Sequence, residues 1–150
     1  MGGAVGAGGQ DPLTHRMRSE TISVRTGSRA TIRDLTDHCS HFVAGEGDGL
    51  LSVFVPHATA GLAIIETGAG SDSDLIRLVD QLVPADDRWQ HRHGSAGHGR
   101  DHVLPAVISP SLTVPVLGGQ LQLGVWQSVC LVDTNVDNAE RTVRLSFLAG

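Results

Sequence analysis

Four histidines, His91, His93, His98 and His102, fall within twelve positions of a chain that holds eight in 150 residues. Imidazole is the commonest protein ligand for divalent metals and the side chain whose charge changes near neutral pH. His91-x-His93 puts two rings on one side of an extended segment, and His98 with His102 forms an i, i+4 pair on a helical one. Each spacing suits a metal, and the competing reading is a solvated polar loop. Farther up the chain His57 stands two positions before Thr59 and nine before Glu66. An imidazole, a hydroxyl and a carboxylate near one strand end could supply a base, a substrate contact and an orienting group, against a plain surface histidine in a turn. Gly68-x-Gly70 ahead of a helix is a short anion-cradle pattern that also fits an ordinary loop. No Walker glycine loop, G-x-S-x-G elbow or H-E-x-x-H pair occurs.

The elements that must position these groups are mostly strands. Residues 18–25 alternate loosely and read as a first strand. The apolar positions of Ala30–Val43 recur at three- and four-residue spacing and predict an amphipathic helix. Leu50–Val55 and Gly61–Ile65 read as buried strands flanking the polar turn at His57, which places Glu66 across a hairpin-like pair. Leu75, Ile76, Leu78, Val79, Leu82 and Val83 form a helical stripe that starts near an N-cap at Ser71 or Asp72 and ends at Pro84. Residues 86–101 lack periodicity, and a short helix near His98 cannot run far past Pro105 unbent. Strands follow over Leu112–Val116, Leu121–Val132 and Arg141–Leu148, with Gly118–Gly119 as a hairpin turn. Gln127 beside Trp126 then lies on a strand, where packing in the core is the simplest reading and its amide needs partners.

With strands dominant, few helices and no βαβ rhythm, the fold class is α+β and β-rich: a β-sandwich with two or three flanking helices. One domain is expected over 15–150, after a glycine-rich disordered tail at 1–14. The 11 basic residues are all Arg against 16 acidic ones, a net charge of -5, which argues against nucleic acid or an anionic membrane as partner. No apolar run is long enough to span a bilayer and no secretory signal is legible, so the expected compartment is cytoplasmic. Cys39 and Cys130 lack metal or redox spacing and read as buried free thiols.

Taken in order, His57-Ala58-Thr59-Ala60-Gly61-Leu62 with Glu66, Trp89-x-His91, Asp101-His102, Leu112-Thr113-Val114-Pro115-Val116, Gly119-x-Leu121 and Gly124-Val125-Trp126-Gln127 resemble the YjbQ family over about residues 18–150. The resemblance implies a compact homotrimer on a β-sandwich and a polar pocket lined by the shared histidines and Glu66. It also implies a secondary thiamine-phosphate synthase activity, which joins a pyrimidine diphosphate to a thiazole phosphate and releases pyrophosphate. The matching polar positions are His57, Thr59, Glu66, Asp74, His91, His102, Gln127 and Arg141. The chain differs from the family pattern at Ile65, Arg92, His98, Asp133 and the turn Asn135–Asn138.

From the resemblance together with the residue chemistry, His57, Glu66 and His102 are the candidate catalytic residues. Thr59, Gln127 and Arg141 are the candidates for binding a small phosphorylated substrate. His57, His91 and His102 are the candidate ligands of a divalent metal, zinc or magnesium. The rival expectation is a non-catalytic trimer in which the same histidines hold an ion or small ligand.

Overall fold

Alternation of apolar and polar residues builds the larger of two sheets. The structure is a computed structural model that describes residues 16–150, so the tail expected at 1–14 lies outside the described residues. The strands are β1 (Met17–Arg25), β2 (Thr31–Asp34), β3 (Gly49–Phe54), β4 (Ala60–Ile65), β5 (Ser111–Leu117), β6 (Gln120–Leu121), β7 (Ser128–Asp133) and β8 (Glu140–Ala149). Three α-helices, α1 (Thr36–Val43), α2 (Ser71–Leu82) and α3 (Leu104–Val107), join a 3-10 turn at His98–His102. One sheet has the order β1-β8-β3-β5-β6 and the other β2-β7-β4. Every described pairing is antiparallel, so the fold is mixed α+β with mostly antiparallel sheets. None of the described helices is long and apolar enough to cross a membrane.

Inward-facing residues of both sheets meet in one apolar cluster. Leu51 and Val53 of β3, Val114 and Val116 of β5, and Val143, Leu145 and Phe147 of β8 join Val129 and Leu131 of β7 and Phe42 of α1. The opposite face of the small sheet is covered as well, because Val132 packs with Val79 and Val83 at the end of α2 and with Leu104 and Ile108 around α3. Burying each such side chain contributes about 1.5–3 kcal/mol. With both faces covered, β7 reads as an uninterrupted apolar run. Cys39 and Cys130 are buried free thiols, as expected, and burial pushes both up to about 12.

Four expectations are corrected. Ala30–Val43 does not form one helix: Thr31–Asp34 pairs with Cys130–Asp133 along an edge of β7, and the helix begins only after Asp34 Oδ1 accepts the Thr36 N–H at 2.9 Å. A strand followed by a helix produced the same three- and four-residue apolar spacing. β3 and β4 form no hairpin, since they belong to different sheets. The strand expected over Leu121–Val132 is broken after Leu121, where the chain turns and Gln127 Oε1 accepts the Gly124 N–H at 2.7 Å. Trp126 is accordingly 71% exposed and contributes nothing to the core. Finally, the residue capping α2 is Gly70 at φ 102°, a left-handed conformation that glycine adopts freely, and no side chain caps the helix. Gly118 and Gly119 make the two-residue turn as predicted, both at positive φ, between Leu117 and its partner Gln120.

The pairing of Ala60 with Asp133 brings the start of β4 beside the end of β7. His57 and Thr59 precede one strand and residues 134–138 follow the other. The loop at 91–102 closes over this end of the small sheet.

Candidate functional site

Three of the loop histidines converge. One nitrogen from each of His91, His98 and His102 lies within 4.8 Å of the others, the only such cluster of ligand groups among the described residues. His98 and His102 face each other through their Nε2 atoms at 2.8 Å, and the ring centroids of His91 and His102 are 3.9 Å apart. His93 stacks edge-on against His91 at 4.0 Å but stands outside the triad. Burial and the neighbouring imidazoles hold His91 and His102 below the ordinary histidine range, which favours the neutral rings that a metal requires.

Local sequence explains this convergence. Gly99 has no side chain where a Cβ would stand 2.5 Å from the His91 carbonyl oxygen and 2.6 Å from Trp89 Cβ, so the 89–91 segment lies directly on the 3-10 turn. That turn is anchored by buried Arg100, which donates to Asp101 Oδ1 at 3.1 Å, Asp80 Oδ1 at 2.7 Å and the Val83 carbonyl at 3.1 Å. Thr134 also donates to Asp101 Oδ1, at 2.6 Å.

A polar pocket of about 360 Å³ adjoins the histidines and is lined by His57, Thr59, His98, His102, Asn135 and Arg141, among others. Arg141 is 1% exposed and forms a two-pronged pair with Asp133, Nε to Oδ2 at 2.7 Å and Nη2 to Oδ1 at 2.9 Å. Its Nη1 makes no hydrogen bond among the described residues, and Arg141 is one of the residues that line the pocket. Thr59 Oγ1 accepts from Asn135 Nδ2 at 2.9 Å.

His57 has a different task from the one expected. Its Nε2 accepts the backbone N–H of Thr142 at 2.9 Å, just beyond the last β8 residue paired to β3. The neutral ring therefore carries its proton on Nδ1, and neither nitrogen offers a free lone pair to a metal. Burial, then the charge of Arg141, lowers its pKa from the ordinary value. Of the expected ligands His57, His91 and His102, the structure brings His91 and His102 together with His98, and His57 stands apart on the Thr142 N–H.

The remaining expected residues lie elsewhere in the chain. Glu66 is exposed one position beyond β4, while Thr59 is one position before it. At about 3.3 Å per strand residue the two are roughly 20 Å apart. Gln127 closes its own turn, and Asp74 pairs with Arg77 on the exposed side of α2. Sequence reasoning gave no role at the site to Asp133, Asn135 or Asp137. Their alternation after a strand signals successive Asx turns, in which Asp133 Oδ1 accepts the Asn135 N–H at 3.0 Å and Asn135 Oδ1 accepts the Asp137 N–H at 2.8 Å.

Two antiparallel sheets with a histidine triad over one end define a mixed α+β protein whose polar pocket is assembled from strand-end loops. Residues 20–150 match the family model described as UPF0047 protein YjbQ-like, and the chain belongs to that family. It is 58% identical over 134 residues to UPF0047 protein Rv2556c of Mycobacterium tuberculosis, covering 89% of this chain and 100% of the relative. It is 31% identical over 117 residues to UPF0047 protein YugU of Bacillus subtilis, covering 73% and 84% of the two chains. Among solved structures, a YbjQ-like protein of unknown function from Sulfolobus solfataricus superposes with a TM-score of 0.83 at 23% identity, covering 90% of this chain and 99% of that one. The hypothetical protein APE1520 from Aeropyrum pernix superposes with a TM-score of 0.79 at 30% identity, over 89% and 99%.

Proposed function

We propose that the protein holds a divalent ion on His91, His98 and His102 and binds a small phosphorylated substrate in the pocket beside it. The observation that carries this reading is the convergence of three imidazole nitrogens within 4.8 Å, two of them from residues, His98 and His102, that also line the pocket with Arg141. Three nitrogen donors suit zinc, with an open fourth position, and suit magnesium poorly, because magnesium prefers oxygen ligands. A bound ion would supply positive charge for an anionic group. Tetrahedral zinc needs its nitrogens about 3.3 Å apart, so His98 and His102 must separate by roughly half an ångström.

The reaction proposed is thiamine-phosphate synthesis. The thiazole ring nitrogen forms a bond to the pyrimidine methylene as the bond from that carbon to the diphosphate oxygen breaks, and pyrophosphate leaves with the electron pair. Arg141 and His57, which both line the pocket, are the proposed donors to a phosphoryl oxygen. His102 borders both the ion and this pocket. We also propose a homotrimer of two-sheet sandwiches, in which neighbouring subunits cover the exposed loop at Val125 and Trp126, 88% and 71% exposed.

A non-catalytic ion- or ligand-binding protein is the second reading. It is favoured by the neutralisation of Arg141 by Asp133 and by the position of Glu66 and Gln127 outside the pocket of their own chain. The deciding experiment incubates tag-free protein, zinc-loaded and with added magnesium, with the two purified substrates. Thiamine phosphate above a heat-killed control supports the enzyme; stoichiometric zinc without product supports the second reading; neither zinc nor product defeats the enzyme and the ion-binding form of the second reading.

A further inference from the structure

His98 Nδ1 is the one buried side-chain nitrogen or oxygen among the described residues that lacks a hydrogen bond. A buried donor left unmade costs about 1–3 kcal/mol. The ring is 6% exposed, and two carboxylates flank the nitrogen: Asp137 Oδ2 at 2.9 Å and Asp101 Oδ2 at 3.7 Å. The Asp137 contact is within hydrogen-bonding distance, although its geometry falls short of a hydrogen bond. Asp101 is farther away and already tied to Arg100 and Thr134 through its other oxygen.

We propose that Asp137 is the positioning residue of the histidine triad, accepting a hydrogen bond from His98 Nδ1–H and so keeping the Nε2 lone pair turned to the ion. The inference rests on the metal reading above and extends it. Geometry supports it from both sides. Asp137 is placed by the two Asx turns that follow β7, and the same Oδ2 accepts the backbone N–H of Ser95 at 3.2 Å and its hydroxyl at 3.1 Å. One carboxylate thereby sets the orientation of His98 and ties down the loop that also delivers His91. A histidine ligand that donates its second nitrogen to a carboxylate is a more basic and better oriented donor, and losing that partner weakens metal affinity about 10–100-fold.

The test is zinc titration of the full chain beside its Asp137→Asn, Asp137→Ala, Asp137→Glu and Ser95→Ala variants, with nitrogen NMR of the histidine rings to read the His98 tautomer. Asp137→Asn is expected to bind zinc at least about tenfold more weakly and to leave His98 in mixed tautomers. Asp137→Glu is expected to restore part of the affinity, whereas Ser95→Ala, which removes one loop tie and leaves the carboxylate, should stay within about threefold of the parent. Parent affinity and a single Nδ1–H tautomer in Asp137→Asn and Asp137→Ala would overturn the proposal. If the parent takes up no zinc, the metal reading and this role fall together, and the tautomer measurement separately decides whether the His98–Asp137 bond exists.

Discussion

His98 and His102 meet nitrogen to nitrogen, Nε2 to Nε2, at 2.8 Å. Two bare lone pairs at that distance repel and two N–H groups collide, so one nitrogen carries a proton and the other accepts it. With the His98 proton on Nδ1, His102 is the donor. Zinc binding then requires His102 to present a bare nitrogen as well, which a neutral ring does by moving its proton to the other nitrogen. In the proposed metal site, this pair would exchange a shared proton for the cation.

His57 gives the fold a pH dependence of its own. Its pKa is lowered in the folded chain, so the unfolded chain binds the proton more tightly. Its contribution to stability is complete above the ordinary value near 6.5, declines as pH falls through the folded value, and is constant below it. His57→Gln offers a carbonyl oxygen to the Thr142 N–H and cannot titrate. Denaturant unfolding between about pH 8 and pH 5 is expected to show the parent losing stability relative to His57→Gln as the pH falls. A constant difference across that range contradicts the assignment.

Arg141 and Asp133 are fully buried and hydrogen-bonded twice to each other. Removing one partner strands the other charge in the interior, which costs about 3–5 kcal/mol. Arg141→Met and Asp133→Leu should each lower unfolding free energy by that amount, while the double variant recovers much of the loss. Additive losses in the double variant would show that the pair is not coupled.

Gly99 tests whether the close approach of two segments makes the triad. A methyl group there meets the His91 carbonyl and Trp89 Cβ, so the segment bearing His91 must move away. Gly99→Ala is expected to weaken zinc binding at least tenfold, a change of about 1.4 kcal/mol. Unchanged affinity in a folded Gly99→Ala protein would show that His91 contributes little.

A homotrimer would give a light-scattering mass three times the 15.7 kDa of the chain. Trp126→Asp, which puts a charge on an exposed apolar loop, is expected to shift that mass downward. A parent mass near 15.7 kDa at micromolar concentration contradicts the trimer.

Much of this architecture was legible because β3 is a dense apolar run closed by Pro56, because Leu112, Val114 and Val116 of β5 alternate with outward positions, and because Gly118–Gly119 leaves few other turns open. The small sheet was harder to read. Thr31–Asp34 forms a strand only because β7 has an edge to fill, a long-range demand that local spacing does not record. The histidine cluster was visible as composition, yet which three converge depends on Gly99 and the Arg100–Asp101 anchor, neither of which has a metal-ligand signature. His57 looked like a ligand because spacing cannot show that a backbone N–H at Thr142 already occupies its lone pair.

The central claim is that the ion is held by His91, His98 and His102, and that His57 serves the sheet. Zinc analysis of tag-free protein, comparing the parent with His98→Ala, His102→Ala and His57→Gln, tests it most directly. The account predicts about one zinc per chain in the parent and in His57→Gln, and a loss of zinc in both other variants with metal-free stability within about 1 kcal/mol of the metal-free parent. Full zinc content in His98→Ala, or its loss in His57→Gln, would contradict the account.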